Sequence, residues 1–554
     1  MASKKGLPVE IFLQIYGYLG PKDFNAARRT CQAWMKASLD RKLLTVMLER
    51  GGWTNVDTSR EWQWLSCQLA RECALAPGRA GLETEPIFTK SSEVDFTRLQ
   101  SNSQPGGQLF FTTSICSRFL CVAQGALIHI HQFDAGRPVY MASVQCKGRV
   151  FALTMGLYGG RYAIAAILEH RMGMVQKLPE ELFGHGPQEQ QQYRTRFNTI
   201  HIQSNSERII IMGTNNSTLY EHNLINPTWN LIENNSTIYR DLGSNNDPPL
   251  SVSLCPKNQC VIFGCAASLD IQWIDGASGQ SLHRWVPMTA PSDHIYVLAS
   301  RPGHESSSSD TLRILSSVVH PDNRPWIKRR LLLNRLYCAY RLKSAHKACE
   351  CYHCIPLSDG YHILFVDSAS NRLGLGTTEL VGRTTKLVRK IDFIPATNGA
   401  RPRLYCAAAD MSQGARVAAV YGDTVMLYSV PPDVCRFAPD QDQIDCPLQQ
   451  GNNHWLDWWH EPRANDETAA LPHQSRAMWP LSLHGTRITA MANVCEISVQ
   501  THPCLSITVF TDAAKCEVWK FPKGERDIWG GQGSGVCEQG LAESGFCTTR
   551  LRIL

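Results

Sequence analysis

The densest Cys/His group, side chains able to hold a metal, is Cys349-x-Cys351-Tyr352-His353-Cys354, with Cys338 and His346 upstream. Zinc takes four soft ligands in a tetrahedron. Cys351 and Cys354 have a usable C-x-x-C spacing, but no second pair follows, and Cys349 and Cys351 fall on one face of a strand. The cluster is read as thiols near a sheet edge, and no metal is assigned. His129 and His131 alternate along one strand face. Without a third ligand they are read as polar surface residues. The chain has no phosphate loop, no dinucleotide-binding glycine fingerprint and no nucleophile elbow. Gly374-x-Gly376 reads as a strand turn. No catalytic residue and no cofactor is assigned.

Composition narrows the remaining classes. The chain has 554 residues, which argues for two or more domains. Hydrophobic residues make up 43% and charged residues 19%, enough apolar material for a large core. A net charge of +6 is slight for this length, and only Lys328, Arg329 and Arg330 cluster. A nucleic-acid binder concentrates its basic residues in a stripe or tail, so no nucleic-acid partner is expected. The start, Met1 to Gly6, lacks the apolar core of a signal peptide. No stretch reaches the roughly 20 apolar residues of a membrane span. The 21 cysteines are scattered without a framework spacing and read as reduced thiols. The sequons at Asn215, Asn216, Asn234 and Asn235 are then accidental. Cytoplasm, nucleus or both is the expected location, with no membrane partner.

The elements begin with short helices. Leu7 to Leu19 reads as one, with Pro8 in the first turn and Ile11, Ile15, Tyr18 and Leu19 as an apolar stripe. Gly20-Pro21 breaks it. A second helix starts near Asp23 and carries Phe24, Ala27 and Arg28. A third segment, Cys31 to Ser38, carries Trp34. Leu39, Leu43, Leu44, Met47 and Leu48 form another stripe that ends at Gly51-Gly52. Three or four such helices in about fifty residues can barely bury one core. Two readings follow from the periodicity: an interaction module completed by a partner, or a helical cap on the next domain.

The run Leu7-Pro8-x-Glu10-Ile11, then Ile15, Tyr18-Leu19, Pro21-x-Asp23, Arg28, Cys31 and Trp34 resembles the F-box pattern. The resemblance implies a three-helix unit that docks on the Skp-family adaptor of a cullin-based SCF ubiquitin ligase. It implies Leu7, Pro8, Ile11, Ile15 and Leu19 as adaptor-facing anchors. Tyr18, Cys31 and Trp34 are then expected in the module's own core.

Residues 51–107 read as a helical and linker region, with helical composition from Glu61 to Leu75. From about residue 108 the sequence shows β-branched and aromatic runs separated by Gly, Asp, Asn and Ser turns. One unit recurs: a near-continuous apolar strand, a turn, then an alternating strand. It is seen at Phe119–Ala123 with Leu127–His131, at Tyr162–Leu168, and at Ile209–Gly213 with Thr218–Tyr220. It recurs at Cys260–Gly264 with Leu269–Asp275, at Leu312–Ser316, and at Tyr361–Val366 with Leu373–Leu375. The last two are Arg416–Tyr421 with Thr424–Val430 and Leu505–Phe510 with Lys515–Lys520. The interval is mostly about 42–55 residues, near that of propeller blades. Ile271-Gln272-Trp273, Met426-Leu427-Tyr428 and Val518-Trp519 stand where WD repeats place their Trp-Asp strand. A β-sandwich pair is the competing arrangement.

The expected fold class is mainly β with a small N-terminal all-α module: an F-box unit over 1–50, then a seven- or eight-bladed WD-like β-propeller over 108–525. Residues 431–480 are read as a surface insertion and 526–554 as a tail. Ile262–Cys265, Trp273–Asp275, Arg284–Pro287, Ala290–Asp293 and Pro356–Phe365 also resemble a group of filamentous-fungal F-box proteins. The expected function is a non-catalytic substrate adaptor that binds a Skp-family adaptor through the F-box and an unidentified target protein through the propeller. The alternative is an F-box scaffold acting outside a ubiquitin ligase.

Overall fold

In the computed structural model the first helix, α1 (Val9–Tyr18), follows directly on Pro8, whose missing N–H costs nothing at a helix start. Leu19 turns extended, and Pro21 opens α2 (Pro21–Ala27). Then come α3 (Gln32–Ser38) and α4 (Arg41–Arg50), the latter capped by the Asp40 carboxylate on the Leu43 N–H at 2.9 Å. The fifth helix, α5 (Trp62–Leu75), covers the stretch whose composition reads as helical. Leu65 and Leu69 of α5 share one core with Phe12, Tyr16, Phe24, Leu44, Met47, Leu48 and Trp53. The helical core thus extends past the expected boundary at residue 50, because four short helices alone cannot enclose it.

The structure describes residues 8–53, 61–75, 87–97, 99, 109–134, 136–183, 232, 236–274, 280–288, 291–298, 312–320, 351–378, 387–395, 397, 399–436, 480–502 and 504–521. Leu7, the basic cluster at 328–330, Cys338, His346, Cys349, the four sequons, the expected strands at 209–213 and 218–220 and the expected tail lie outside these. So do residues 437–479 of the expected insertion. The chain divides into two units, Met1–Val94 with Ile355–Leu554, and Asp95–Cys354.

The unit Asp95–Cys354 is built of antiparallel meanders. Strands β2 (Phe110–Thr113), β3 (Phe119–Gln124), β4 (Leu127–Asp134) and β5 (Arg137–Gln145) pair in sequence order. So do β6 (Val150–Tyr158), β7 (Arg161–Leu168), β8 (Met172–Lys177) and β9 (Ser236–Tyr239). The same order holds for β10 (Pro249–Leu254), β11 (Cys260–Cys265), β12 (Ser268–Ile274) and β13 (Ser281–Pro287). Strands β14 (His294–Val297) and β15 (Ile314–Ser317) form a two-stranded sheet among the described residues. Cys260–Cys265 is buried on both faces, which is why it reads as a continuous apolar run rather than an alternating one. Phe263 of β11 packs over Gly173 of β8, where a Cβ would have no room.

In the other unit β1 (Thr89–Asp95) follows the helices. The chain returns through β16 (Cys351–Pro356), whose Cys351–Cys354 belong to the unit Asp95–Cys354, and goes on with β17 (His362–Asp367), β18 (Leu373–Thr378) and β19 (Leu387–Ile394). Next are β20 (Leu404–Ala407), β21 (Ala415–Tyr421), β22 (Thr424–Val430) and the short helix α6 (Pro432–Arg436). The last strands are β23 (Leu481–His484), β24 (Thr486–Ala490), β25 (Val494–Gln500), β26 (Ser506–Thr511) and β27 (Lys515–Lys520). The sheet orders are β16-β17-β18-β19-β23, β20-β21-β22-β24 and β1-β27-β26-β25. Gly422, at φ +58°, makes the tight turn between β21 and β22.

These are sheets of the four-stranded kind that build β-propellers, behind a small all-α module, as the sequence leads one to expect. Trp273, Tyr428 and Trp519 all fall on third strands, the place of the Trp-Asp strand in WD repeats. Two details differ. Strand β1 lies inside the region expected to be helical and linker, yet it pairs with β27 in the last sheet. Its sequence TKSSEVD buries only Val94, so an edge strand of this kind leaves no apolar signature. His129 and His131 are buried, not on the surface.

Candidate interaction face of the N-terminal helices

Helix α1 carries two apolar stripes. Phe12 and Tyr16, one turn apart, face inward, and Leu19 beyond the helix end packs beside them. Trp34 lies edge-on to Phe12 (5.2 Å between centroids) and to Tyr16 (5.3 Å), and Tyr16 meets Phe24 at 4.7 Å. The Tyr16 hydroxyl donates to the Trp34 carbonyl at 2.7 Å, and burial pushes its pKa up to about 12. The phenol therefore stays a neutral donor throughout the physiological range.

The second stripe points outward. Pro8, Ile11, Ile15 and Tyr18 recur at spacings of three and four, which places them on one face. Pro8 is exposed, Ile11 is 38% exposed, Ile15 is half-buried and Tyr18 is 91% exposed. Val9 and Leu13, 49% and 37% exposed, lie on the opposite flank of the inward Phe12–Tyr16 stripe. An apolar stripe on a surface helix ordinarily faces the core. The helix is covered on one side by its own chain.

The remaining helices fix that face in place. The Arg50 guanidinium of α4 donates to the Leu19 carbonyl at 2.9 Å and the Gly17 carbonyl at 3.0 Å, satisfying the last turn of α1. Arg28 is fully buried and binds Asn25 Oδ1 at 2.9 Å, Ser66 Oγ at 2.8 Å and the Ser66 carbonyl at 3.1 Å. It locks α2 to α5. The Cys73 thiol, pushed up to about 12 by burial, donates to the Pro21 carbonyl at 3.4 Å. Helix α5 is itself anchored on β21. Arg416 reaches both Glu72 carboxylate oxygens, at 2.6 and 2.7 Å, and also contacts Ser429 Oγ. Burial lowers the Arg416 pKa, and the Glu72 charge beside it opposes that shift.

Of the residues expected to face an adaptor, Pro8, Ile11 and Ile15 share the outer face, while Leu19 packs partly into the module's own core. Of those expected in the core, Trp34 packs there. Tyr18 and Cys31 do not. Tyr18 ends α1 on the side opposite Tyr16, and Cys31 is an extended, exposed residue ahead of α3. Phe12 and Tyr16 are the core residues that spacing did not single out. Their stripe and that of Ile11 and Ile15 have the same period. The signal that separates them is the later aromatic pair Phe24 and Trp34, which offers ring partners to aromatic side chains.

Elsewhere, Cys351 and Cys354 have their sulfurs 3.5 Å apart, and the His353 ring stacks on His294 at 4.0 Å. Among the described residues no three metal-binding side chains converge. No described helix is long and apolar enough to cross a membrane.

Residues 5–45 match the F-box-like family model. No curated protein matches the chain. Among solved structures it is similar to the β-propeller domain of Cps50 (Swd1) from Myceliophteria thermophila, at 7% identity and a TM-score of 0.34, covering 78% of this chain and 99% of that one. It is similar to Sqt1 from Saccharomyces cerevisiae at 8% identity and a TM-score of 0.35, covering 79% and 100%. A chain of the mitotic checkpoint complex aligns at 7% identity and 0.35, covering 80% and 98%. At these scores the fold rests on the strand pairing described above. The chain thus carries an F-box-like segment at residues 5–45, followed by sheets of the β-propeller type.

Proposed function

We propose that this protein is a non-catalytic substrate adaptor of an SCF-type E3 ubiquitin ligase. The outer face of α1 seats a Skp-family adaptor, and the propeller-type sheets hold a target protein for ubiquitination by the cullin-based complex. The setting is the cytoplasm, the nucleus or both, in a fungal cell. One observation carries this reading: α1 presents Pro8, Ile11 and Tyr18 on one outer stripe although its other side already has a full aromatic core. Exposed apolar residues gathered on one short helix mark a surface for another protein. The adaptor role needs no bond chemistry from this chain; holding the target near the ligase raises its effective concentration.

The test is binding of the full chain to a purified Skp-family adaptor by calorimetry. Each anchor truncated is worth on the order of 1–3 kcal/mol. Ile11→Asp with Tyr18→Ser is therefore expected to weaken binding about 100-fold or more, with an unchanged circular dichroism spectrum. Equal affinity of the double variant and the parent would remove the docking face. Adaptor binding without recruitment of a cullin would favour the scaffold reading instead.

A further inference from the structure

The stretch Cys351–Cys354 departs from regular strand geometry in a way that brings two thiols together. In an even strand Cys351 and Cys354 would point to opposite faces. His353 takes a left-handed backbone conformation, φ +49°, inside β16. That breaks the alternation, and the Cys354 sulfur comes within 3.5 Å of the Cys351 sulfur. A left-handed conformation at a residue other than glycine is uncommon and persists only where its surroundings hold it. Here three contacts hold it. The His353 ring stacks on His294, with 12° between planes. The His353 N–H donates to the Val318 carbonyl at 2.8 Å, and the Cys354 N–H donates to Ser317 Oγ at 2.9 Å. Cys351 is half-buried and Cys354 is buried.

We propose that Cys351 and Cys354 are a reversible dithiol switch, closed by a small disulfide oxidant such as glutathione disulfide. The half-exposed Cys351 thiolate attacks one sulfur of the oxidant. The oxidant's S–S bond breaks, and one glutathione leaves as a thiolate that takes up a proton. Cys354, shielded from the oxidant but in contact with Cys351, then gives its proton to solvent and attacks the Cys351 sulfur. The second glutathione leaves as a thiol. Two cysteine thiols are oxidised by two electrons, and one glutathione disulfide becomes two glutathione molecules. Bond formation closes the sulfurs from 3.5 Å to about 2 Å, a movement within reach of side-chain rotation. The closed form makes the left-handed turn at His353 covalent.

The full chain is equilibrated across a series of reduced to oxidised glutathione ratios, acid-quenched, unfolded, alkylated and mapped by mass spectrometry. The peptide holding both cysteines is expected to lose both alkyl groups together and to be lighter by two hydrogens. Buried Cys121 and Cys516 are expected to stay fully alkylated. In Cys354→Ser, Cys351 is expected to stop at the mixed disulfide with glutathione; in Cys351→Ser, Cys354 is expected to remain a thiol at every ratio. His353→Val disfavours the left-handed turn, so about tenfold more oxidant is expected at the half-point, with the circular dichroism spectrum unchanged. Three results would each overturn the proposal. In the parent chain they are full alkylation of both thiols at the most oxidising ratio, a stable mixed disulfide at Cys351, or protection of both thiols that a chelator removes. The last would identify a metal site.

Discussion

Helix α1 and strand β11 are both short apolar runs, and their surroundings treat them differently. All six residues of Cys260–Cys265 are buried, on both faces of the sheet. In Val9–Tyr18 only Phe12 and Tyr16 are buried, while Val9, Ile11 and Leu13 stay exposed. The difference lies in what covers each element. A strand inside a meander has a paired strand on each edge and a packed layer on each face; Phe263 is enclosed by Val261, Tyr239, Leu242 and Val252. Helix α1 sits at the margin of five short helices that have one core among them. Apolar content alone therefore does not separate a core from an interface. What separates them is whether the chain itself supplies the second cover.

The largest effect should come from the covered element. Phe263→Ala opens a cavity that neighbouring sheets cannot fill, and is expected to cost about 4 kcal/mol in urea-unfolding stability. A loss below 1 kcal/mol would mean that the sheet interior is as loosely covered as α1, and the contrast would fail. Next is the joint between the helices and β21. Arg416→Met leaves the buried Glu72 carboxylate with only half-exposed Arg71, at 3.1 Å, to oppose it. A loss of about 3 kcal/mol is expected, and adding Glu72→Leu should restore most of it, because removing one partner costs more than removing both. A double variant no better than the single one would show that the pair adds net stability of its own.

Acid gives a third, smaller probe, confined to the unit Asp95–Cys354. Burial holds His129 at about 4 and His131 at about 3, both below their ordinary 6.5. His129 Nδ1 lies 2.9 Å from Ser143 Oγ, which in turn meets the Tyr140 hydroxyl at 2.9 Å. His131 sits edge-on to Phe96 and Tyr140, and its Nδ1 has no hydrogen-bond partner among the described residues. Both rings are neutral in the fold and protonate more readily once it opens. The unfolded chain therefore binds more protons between pH 6.5 and about 4. Stability should be nearly complete above pH 6.5 and fall by roughly 3 kcal/mol, about half from each ring, as pH drops to about 5.5. His131→Leu should remove about half of that slope. A slope unchanged in the variant would place the acid sensitivity elsewhere.

These contrasts also show what could be read before any coordinates. The helix α1 and its break at Gly20-Pro21 were legible because proline and glycine act locally. The strands β3, β7, β11, β17, β21 and β26 were legible because a strand covered on both faces is largely apolar. Strand β1 was not, since one buried side chain suffices for an edge strand. The burial of His129 and His131 was not, since whether a polar strand face is covered depends on Phe96, far off in sequence. At α1 the period was plain and the direction was not: two stripes of equal spacing fit one helix, and only the aromatic partners in α2 and α3 decide which turns inward.

The smallest effect on stability bears most directly on the comparison. Ile11→Asp places a charge where the chain covers the side chain only in part, so desolvation costs less than at Phe12 and the change in unfolding free energy should stay within about 1 kcal/mol. Phe12→Ala, one residue on, empties a place against Trp34 and should cost about 3 kcal/mol. Adjacent apolar residues would then differ several-fold in their weight in the fold, which is the behaviour of a helix with one face built for its own chain and one for another. If Ile11→Asp instead destabilises the chain as much as Phe12→Ala, the outer stripe is part of the fold's own energetics, and α1 is no different in kind from β11.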